Sequence, residues 1–384
     1  MNLPARSLLR PMRARAADEP HRVVTPLELF FDLCFVVAVA QAAAPLHHSI
    51  AAHHVAHGLR GYLMVFFAIW WAWMNFTWFA SAYDTDDDAY RITTLVQIAG
   101  ALVIAAGVGP AFAGDDYRVM TAGYVVMRLA LVIQWLRAAR ADAARRRTAM
   151  RYATGVTALQ VLWLLRLLLP GQWQFVAFLA LAVAELAVPV WAERAPGGPT
   201  TYHPHHITER YGLFTIIVLG EAIAAATVAF RDGLDGAGEH TASLLRLAIT
   251  GLVIVFALWW IYFDRPAHHR FPSLRASMIW GYGHYFIFTS AAAVGAGLAV
   301  AVDHVTGHAR IPATLVGYAI AVPVAIYLVA VWSLHLRSHR GGPALLAFPV
   351  VAVLALFTPS LPGSIELLAV LLVALVAVGV ARRR

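Results

Sequence analysis

The chain has 384 residues, 60% of them hydrophobic and 13% charged, with a mean hydropathy of +0.68. Soluble domains carry roughly a quarter charged residues, so water is not the solvent for most of this surface. The net charge of +8 is scattered among loops instead of forming one stripe, which excludes a nucleic-acid footprint. Every basic residue apart from histidine is Arg, and the sole cysteine, Cys34, lies in the first apolar segment, so an intrachain disulfide is excluded and no redox or zinc role is expected of the cysteine.

Residues 1–25 form a basic arm bearing Arg6, Arg10, Arg13, Arg15 and Arg22, with no apolar core followed by a small-residue cleavage site. It reads as a juxtamembrane arm drawn to anionic lipid. Beyond it, apolar segments predict membrane-crossing helices over residues 27–46, 60–82, 91–112, 118–138, 151–169 and 172–192, then 209–230, 243–263, 277–301, 312–335, 343–358 and 364–381. The fold class is all-α, a polytopic transmembrane bundle of about twelve helices whose partner is the lipid bilayer. With the amino terminus inside, the densest basic loop (Arg137 to Arg151) and the basic tail are also inside. Only Arg60, Arg118, Arg231, Arg246 and Arg310 fall outside, while Arg128 and Arg166 lie within helices. The positive-inside bias therefore predicts a multi-pass protein of the bacterial inner membrane with both termini cytoplasmic.

Two segments echo each other at an offset of 180 residues: Phe76–Asp84 (FTWFASAYD) and Phe256–Asp264 (FALWWIYFD), with Gln41 aligned to Glu221. This predicts two six-helix halves, 26–200 and 201–384, in parallel orientation. The run LELFFDLCFVVAVAQ from Leu27 to Gln41, with ERYGLFTIIVLGEAI from Glu209 to Ile223, resembles the low temperature requirement A (LtrA) family of bacterial membrane proteins. The resemblance extends over nearly the whole chain except the arm. It implies a multi-spanning membrane protein and carries no settled substrate, cofactor or catalytic residue.

Ionisable groups within membrane helices cost at least ~2.5 kcal/mol on insertion scales, so each needs a partner or a function. Thr25, Pro26 and Glu28 fit a helix-capping box. Asp32 lies one turn further on the same face, where two carboxylates repel unless a cation, a shared proton or an arginine lies between them. Glu209 and Arg210 begin the seventh helix and Glu221 lies about three turns deeper on nearly the same face as Arg210, beside Gly220, which suits close helix approach. Glu221 is either a proton or cation carrier or the partner of Arg128 or Arg166, either of which also suits Glu185. His284, in an aromatic setting, is the proton-sensitive group of the ninth helix, or a histidine bonded to a neighbouring hydroxyl or carbonyl. Trp71, Trp78, Trp260 and Tyr285 are candidates for an aromatic substrate pocket, or for packing and interfacial anchoring.

Loop signals are weaker. The histidines between His47 and His57 lack a nearby acidic or cysteine ligand, and no metal site or cofactor is assigned. The run Asp84, Asp86, Asp87 and Asp88 has Ala89 and Leu95 where a calcium loop needs Gly and Glu. Thr85 and Asp88 as caps of the third helix explain it, although such a run also suits magnesium-diphosphate. Soluble-type catalytic motifs are absent. Three readings follow: a proton- or cation-coupled secondary transporter of a small molecule or ion, with Asp32, Glu221 and His284 as coupling groups; an intramembrane enzyme of lipid or isoprenoid substrates; and a structural or stress-related protein.

Overall fold

The structure is a computed structural model that describes residues 8–17, 19, 22–234, 240–264, 273–336 and 346–381. Within these residues it is all-helical: α1 Pro26–Ala51, α2 Val55–Tyr83, α3 Asp88–Ala106, α4 Val108–Gly114, α5 Arg118–Ala141, α6 Arg146–Arg166, α7 Gly171–Ala192, α8 Pro204–Leu234, α9 Thr241–Phe263, α10 Leu274–Val305, α11 Ala313–Val331, α12 Ala347–Ala355 and α13 Ser364–Ala381. Helices α3 and α4 are one span interrupted at Gly107, so each of the twelve predicted segments corresponds to a helix. Ten are long and apolar enough to cross a membrane. The exceptions have local causes. Helix α6 carries Arg146, Arg147, Arg151 and Arg166, and the stretch Ala347–Ser360 is short. The chain is a polytopic helix bundle and a multi-pass membrane protein.

Local chemistry sets the helix starts. Thr25 N–H donates to Glu28 Oε2 at 2.8 Å, and Thr25 Oγ1 accepts from Glu28 N–H at 3.3 Å, the reciprocal pairing of a capping box. The cap of α3 is Asp87, whose Oδ1 accepts from Tyr90 N–H at 2.7 Å, and not Thr85 or Asp88; Thr85 donates its hydroxyl to Asp87 instead. Small residues allow close contact between α3 and α5, where a Cβ on Gly100 would lie 2.8 Å from Gly123 O and one on Gly123 would lie 2.6 Å from Gly100 O.

The contacts form two compact units, both discontinuous in sequence. The first contains the described residues up to Ala38, then Phe67–Tyr211, and the start of α10 to Met278; in it α3 packs on α5, α5 on α6 and α6 on α7. The second contains Val39–Phe66, the described residues from Gly212 through α9, and those from Ile279 onward; in it α13 packs on α9 and α11 on α12. The arm is partly a packed element: Arg15 N–H donates to Ala82 O at 2.9 Å, Arg10 N–H to Asp87 Oδ2 at 2.9 Å, and Met12 is buried. Arg6, the loop arginines at 265, 270, 337 and 340, and the tail arginines lie outside the described residues.

Candidate functional site

The richest polar constellation lies in the first unit, where α1, α2 and α8 meet. Asp32 and Arg210 form a two-pronged pair, with Arg210 Nε donating to Oδ2 at 2.9 Å and Nη2 to Oδ1 at 2.5 Å. Arg210 Nη1 lies 3.1 Å from Glu28 Oε1, so one guanidinium separates the two carboxylates. His206 Nε2 stands 3.2 Å from the same Glu28 oxygen. Glu28–His206 and Asp32–Arg210 are each separated by 178 residues in sequence. A constant separation over one turn means that α1 and α8 run parallel here, each acid meeting a base at the same level. Helix α2 completes the shell: Trp73 Nε1 donates to Asp32 Oδ1 at 2.6 Å, and Thr77 Oγ1 accepts from Arg210 at 3.3 Å. Glu28, Asp32, His206 and Arg210 have no exposed surface.

Arg22, just before α1, extends the network. Its Nη2 is 3.5 Å from Glu28 and 3.7 Å from Asp84, and it donates to Ala80 O at 3.3 Å. Asp84 follows the last residue of α2. Burial, then the negative charge of Glu28, push its carboxyl up to about 6, against the opposing pull of Arg22. With Asp84 ionised, three carboxylates face two guanidinium groups and a histidine. One proton on Asp84 balances the set.

A second buried network in the same unit is built on Glu185. It accepts from Trp71 Nε1 at 2.8 Å and Trp163 Nε1 at 3.0 Å, and pairs with Arg128 Nη2 at 3.3 Å; Arg128 also donates to the Tyr124 hydroxyl. Arg166 is engaged locally, donating to Gln174 O at 3.1 Å and lying over the Tyr117 ring. Both helix-borne arginines thus have partners other than Glu221.

Glu221 lies two residues from the centre of α8 and about 25 Å along the axis from Pro204. It is partly exposed and has no ion-pair or hydrogen-bond partner among the described residues. Gly220 makes no close helix contact, since a Cβ there would meet nothing within 4 Å; the close approach is made by Ala222, whose Cα lies 2.7 Å from a Cβ built on Gly295. An apolar cleft of about 200 Å³, lined by Ile223, Phe230, Leu247, Gly251, Leu298 and Val302, lies on the face of α8 roughly opposite Glu221.

The other sequence candidates are dispersed. Gln41 is exposed on α1, and Glu209 is half-buried at the start of α8. Trp78 donates to the Tyr211 hydroxyl at 2.9 Å, Trp260 is exposed and donates to Asp264 at 3.2 Å, and Tyr285 donates to Leu63 O at 2.9 Å. His284 is buried in the second unit, with Nδ1 donating to Trp280 O at 2.7 Å and Nε2 facing Tyr262 and His335. The aspartate run is occupied by its own chain: Asp86 pairs with Arg91 and Asp87 with Arg137, both at 2.7 Å. His47 meets Asp303 at 2.6 Å, and His53 meets Arg310 O at 3.1 Å. Among the described residues, no group of three His, Cys, Asp or Glu side chains has metal-ligand geometry.

Reasoning from the sequence missed His206, Arg22, Trp73, Thr77, Asp84 and His335 as members of these networks. For His206 a signal existed: His206 and Arg210 repeat the four-residue spacing of Glu28 and Asp32. Among curated proteins, the chain is 27% identical over 278 residues to an uncharacterized protein of Rhizobium meliloti (strain 1021), covering 67% of this chain and 64% of that protein. The model of the bacterial low temperature requirement A protein family matches residues 23–381. With the match extending over nearly the whole chain, this protein belongs to the LtrA family.

Proposed function

We propose that this protein is a proton-coupled secondary transporter of the bacterial inner membrane, with both termini cytoplasmic. The observation that carries this reading is Glu221, a carboxylate at the middle of a membrane helix with no ion-pair or hydrogen-bond partner among the described residues. Intramembrane acids are expensive, and one without a counter-charge suits reversible proton binding. The Asp32–Arg210–Glu28 network supports it as a fixed polar frame through which α1 and α8 move as one piece, and Asp84 at its edge exchanges protons near neutral pH. His284 is a further proton-binding group. The enzyme reading is disfavoured because two aspartates of the run it needs for a metal, Asp86 and Asp87, are already paired with arginines.

Proteoliposomes containing the purified protein and a dye for internal pH test the proposal. Under an imposed pH gradient, at least one solute in a panel of small metabolites is expected to accelerate proton movement beyond that in protein-free liposomes. Rates equal to protein-free liposomes for the whole panel would count against transport. For orientation, a reporter fused after Arg147 should be cytoplasmic; a periplasmic signal would overturn the both-ends-in topology.

A further inference from the structure

The His284 cluster belongs to the second unit and uses different chemistry from the ion-pair network of the first. Three elements of the second unit contribute to it: Tyr262 near the end of α9, Trp280 and His284 on α10, and His335 in the π-helical turn Trp332–Leu336 that ends α11. A π turn inserts an extra residue into the helical path and re-aims the side chains that follow, and such turns are frequent at functional sites. Gly283 allows this turn to approach α10, since a Cβ there would lie 2.7 Å from Leu334. The two imidazoles consequently face each other, with Nε2 to Nε2 at 3.2 Å.

The bonding fixes which nitrogens carry hydrogen. Trp280 O accepts only, so His284 must hold a proton on Nδ1, and in its neutral form its Nε2 is a bare lone pair. That lone pair has donors at hand in His335 Nε2–H and in the Tyr262 hydroxyl at 3.1 Å. One added proton on His284 Nε2 can be donated to His335 once its own proton moves to Nδ1, leaving a single charge spread over two rings. A second added proton would place two N–H groups and two positive charges face to face at 3.2 Å, which repulsion forbids. The titratable side chains of this cluster are His284, His335 and Tyr262. The charge is surrounded by aromatic rings. Trp280 lies 4.2 Å from His284 and, nearly parallel, 6.1 Å from His335; Tyr262 lies 4.8 Å from His335 and Phe288 5.5 Å from His284. Such rings stabilise a cation through their π faces.

We propose that His284 and His335 form a binding site for one shared proton, enclosed by Trp280, Tyr262 and Phe288. Its role as a coupling site rests on the transport reading, but the binding itself does not. The test uses the full-length protein in nanodiscs, with histidine side chains labelled with ¹⁵N and resonances assigned by their loss in His284→Asn and His335→Asn. The expected result is one coupled step between pH 5 and 8 in which both rings change together and bind one proton in total. In His335→Gln, His284 should then titrate alone, at a different pH. Two independent steps, two rings unchanged over the range, or loss of the shared proton to one equivalent of Zn²⁺ would each overturn the proposal, the last by making the pair a metal site. Because no flux is measured, a failure here is distinct from a failure of transport.

Discussion

Asp32 and Glu221 are both carboxylates on long membrane helices, and their surroundings differ in one decisive respect. Asp32 has no exposed surface, yet a guanidinium grips it through two contacts and an indole N–H donates to it. Glu221 is less buried and has no partner among the described residues. Depth alone therefore does not mark a working group. A buried ion pair specifies how α1 and α8 pack, whereas a carboxylate at mid-helix without a partner among the described residues retains the freedom to take up and release a proton.

The largest effect is expected on the paired side. Arg210→Met would leave Asp32 and Glu28 buried without their shared cation, at a cost of about 3 to 5 kcal/mol by analogy with buried pairs in soluble proteins. Unfolding of the detergent-solubilised protein should show this, with partial recovery in Arg210→Met combined with Asp32→Asn. A single variant as stable as the parent would remove the distinction drawn between the two carboxylates.

Asp84 sharpens the comparison through pH. Its folded-state value of about 6 lies above the ordinary 3.8, so the folded chain holds this proton more tightly than the unfolded chain does. The associated stability is fully present below about pH 4 and is lost as pH rises through 6, up to roughly 3 kcal/mol. Asp84→Asn should flatten that part of a stability–pH curve. An unchanged slope in the variant would show that Asp84 is not the group responsible.

The ten long apolar helices were legible in the sequence because apolar runs of about twenty residues carry a strong signal, and so was the capping box at Thr25 and Glu28. The need for a cation, a shared proton or an arginine between Glu28 and Asp32 was also legible from like charges one turn apart. Its identity was not: Arg210 reads from the sequence as sharing a face with Glu221, and the spacing of His206 does not by itself place it beside Glu28. Trp73 and Thr77 gave no signal, because an indole or hydroxyl on an apolar helix looks the same whether it packs or donates. His335 fell at the last residue of a predicted helix, and its aim depends on a π turn that hydrophobic periodicity does not encode. The 180-residue echo supports a proposal of duplication, tested by superposing residues 27–200 on 209–381; helices that match in a different order or only after inversion would refute it.

Glu221→Gln gives the smallest expected stability change, within about 1 kcal/mol, since no partner among the described residues is stranded. It is also the most direct test of the central claim. The amide keeps the shape of the side chain but cannot exchange a proton, so the variant should insert, fold and melt like the parent in proteoliposomes while losing pH-gradient-driven flux. A stable Glu221→Gln protein that retains that flux would contradict the account.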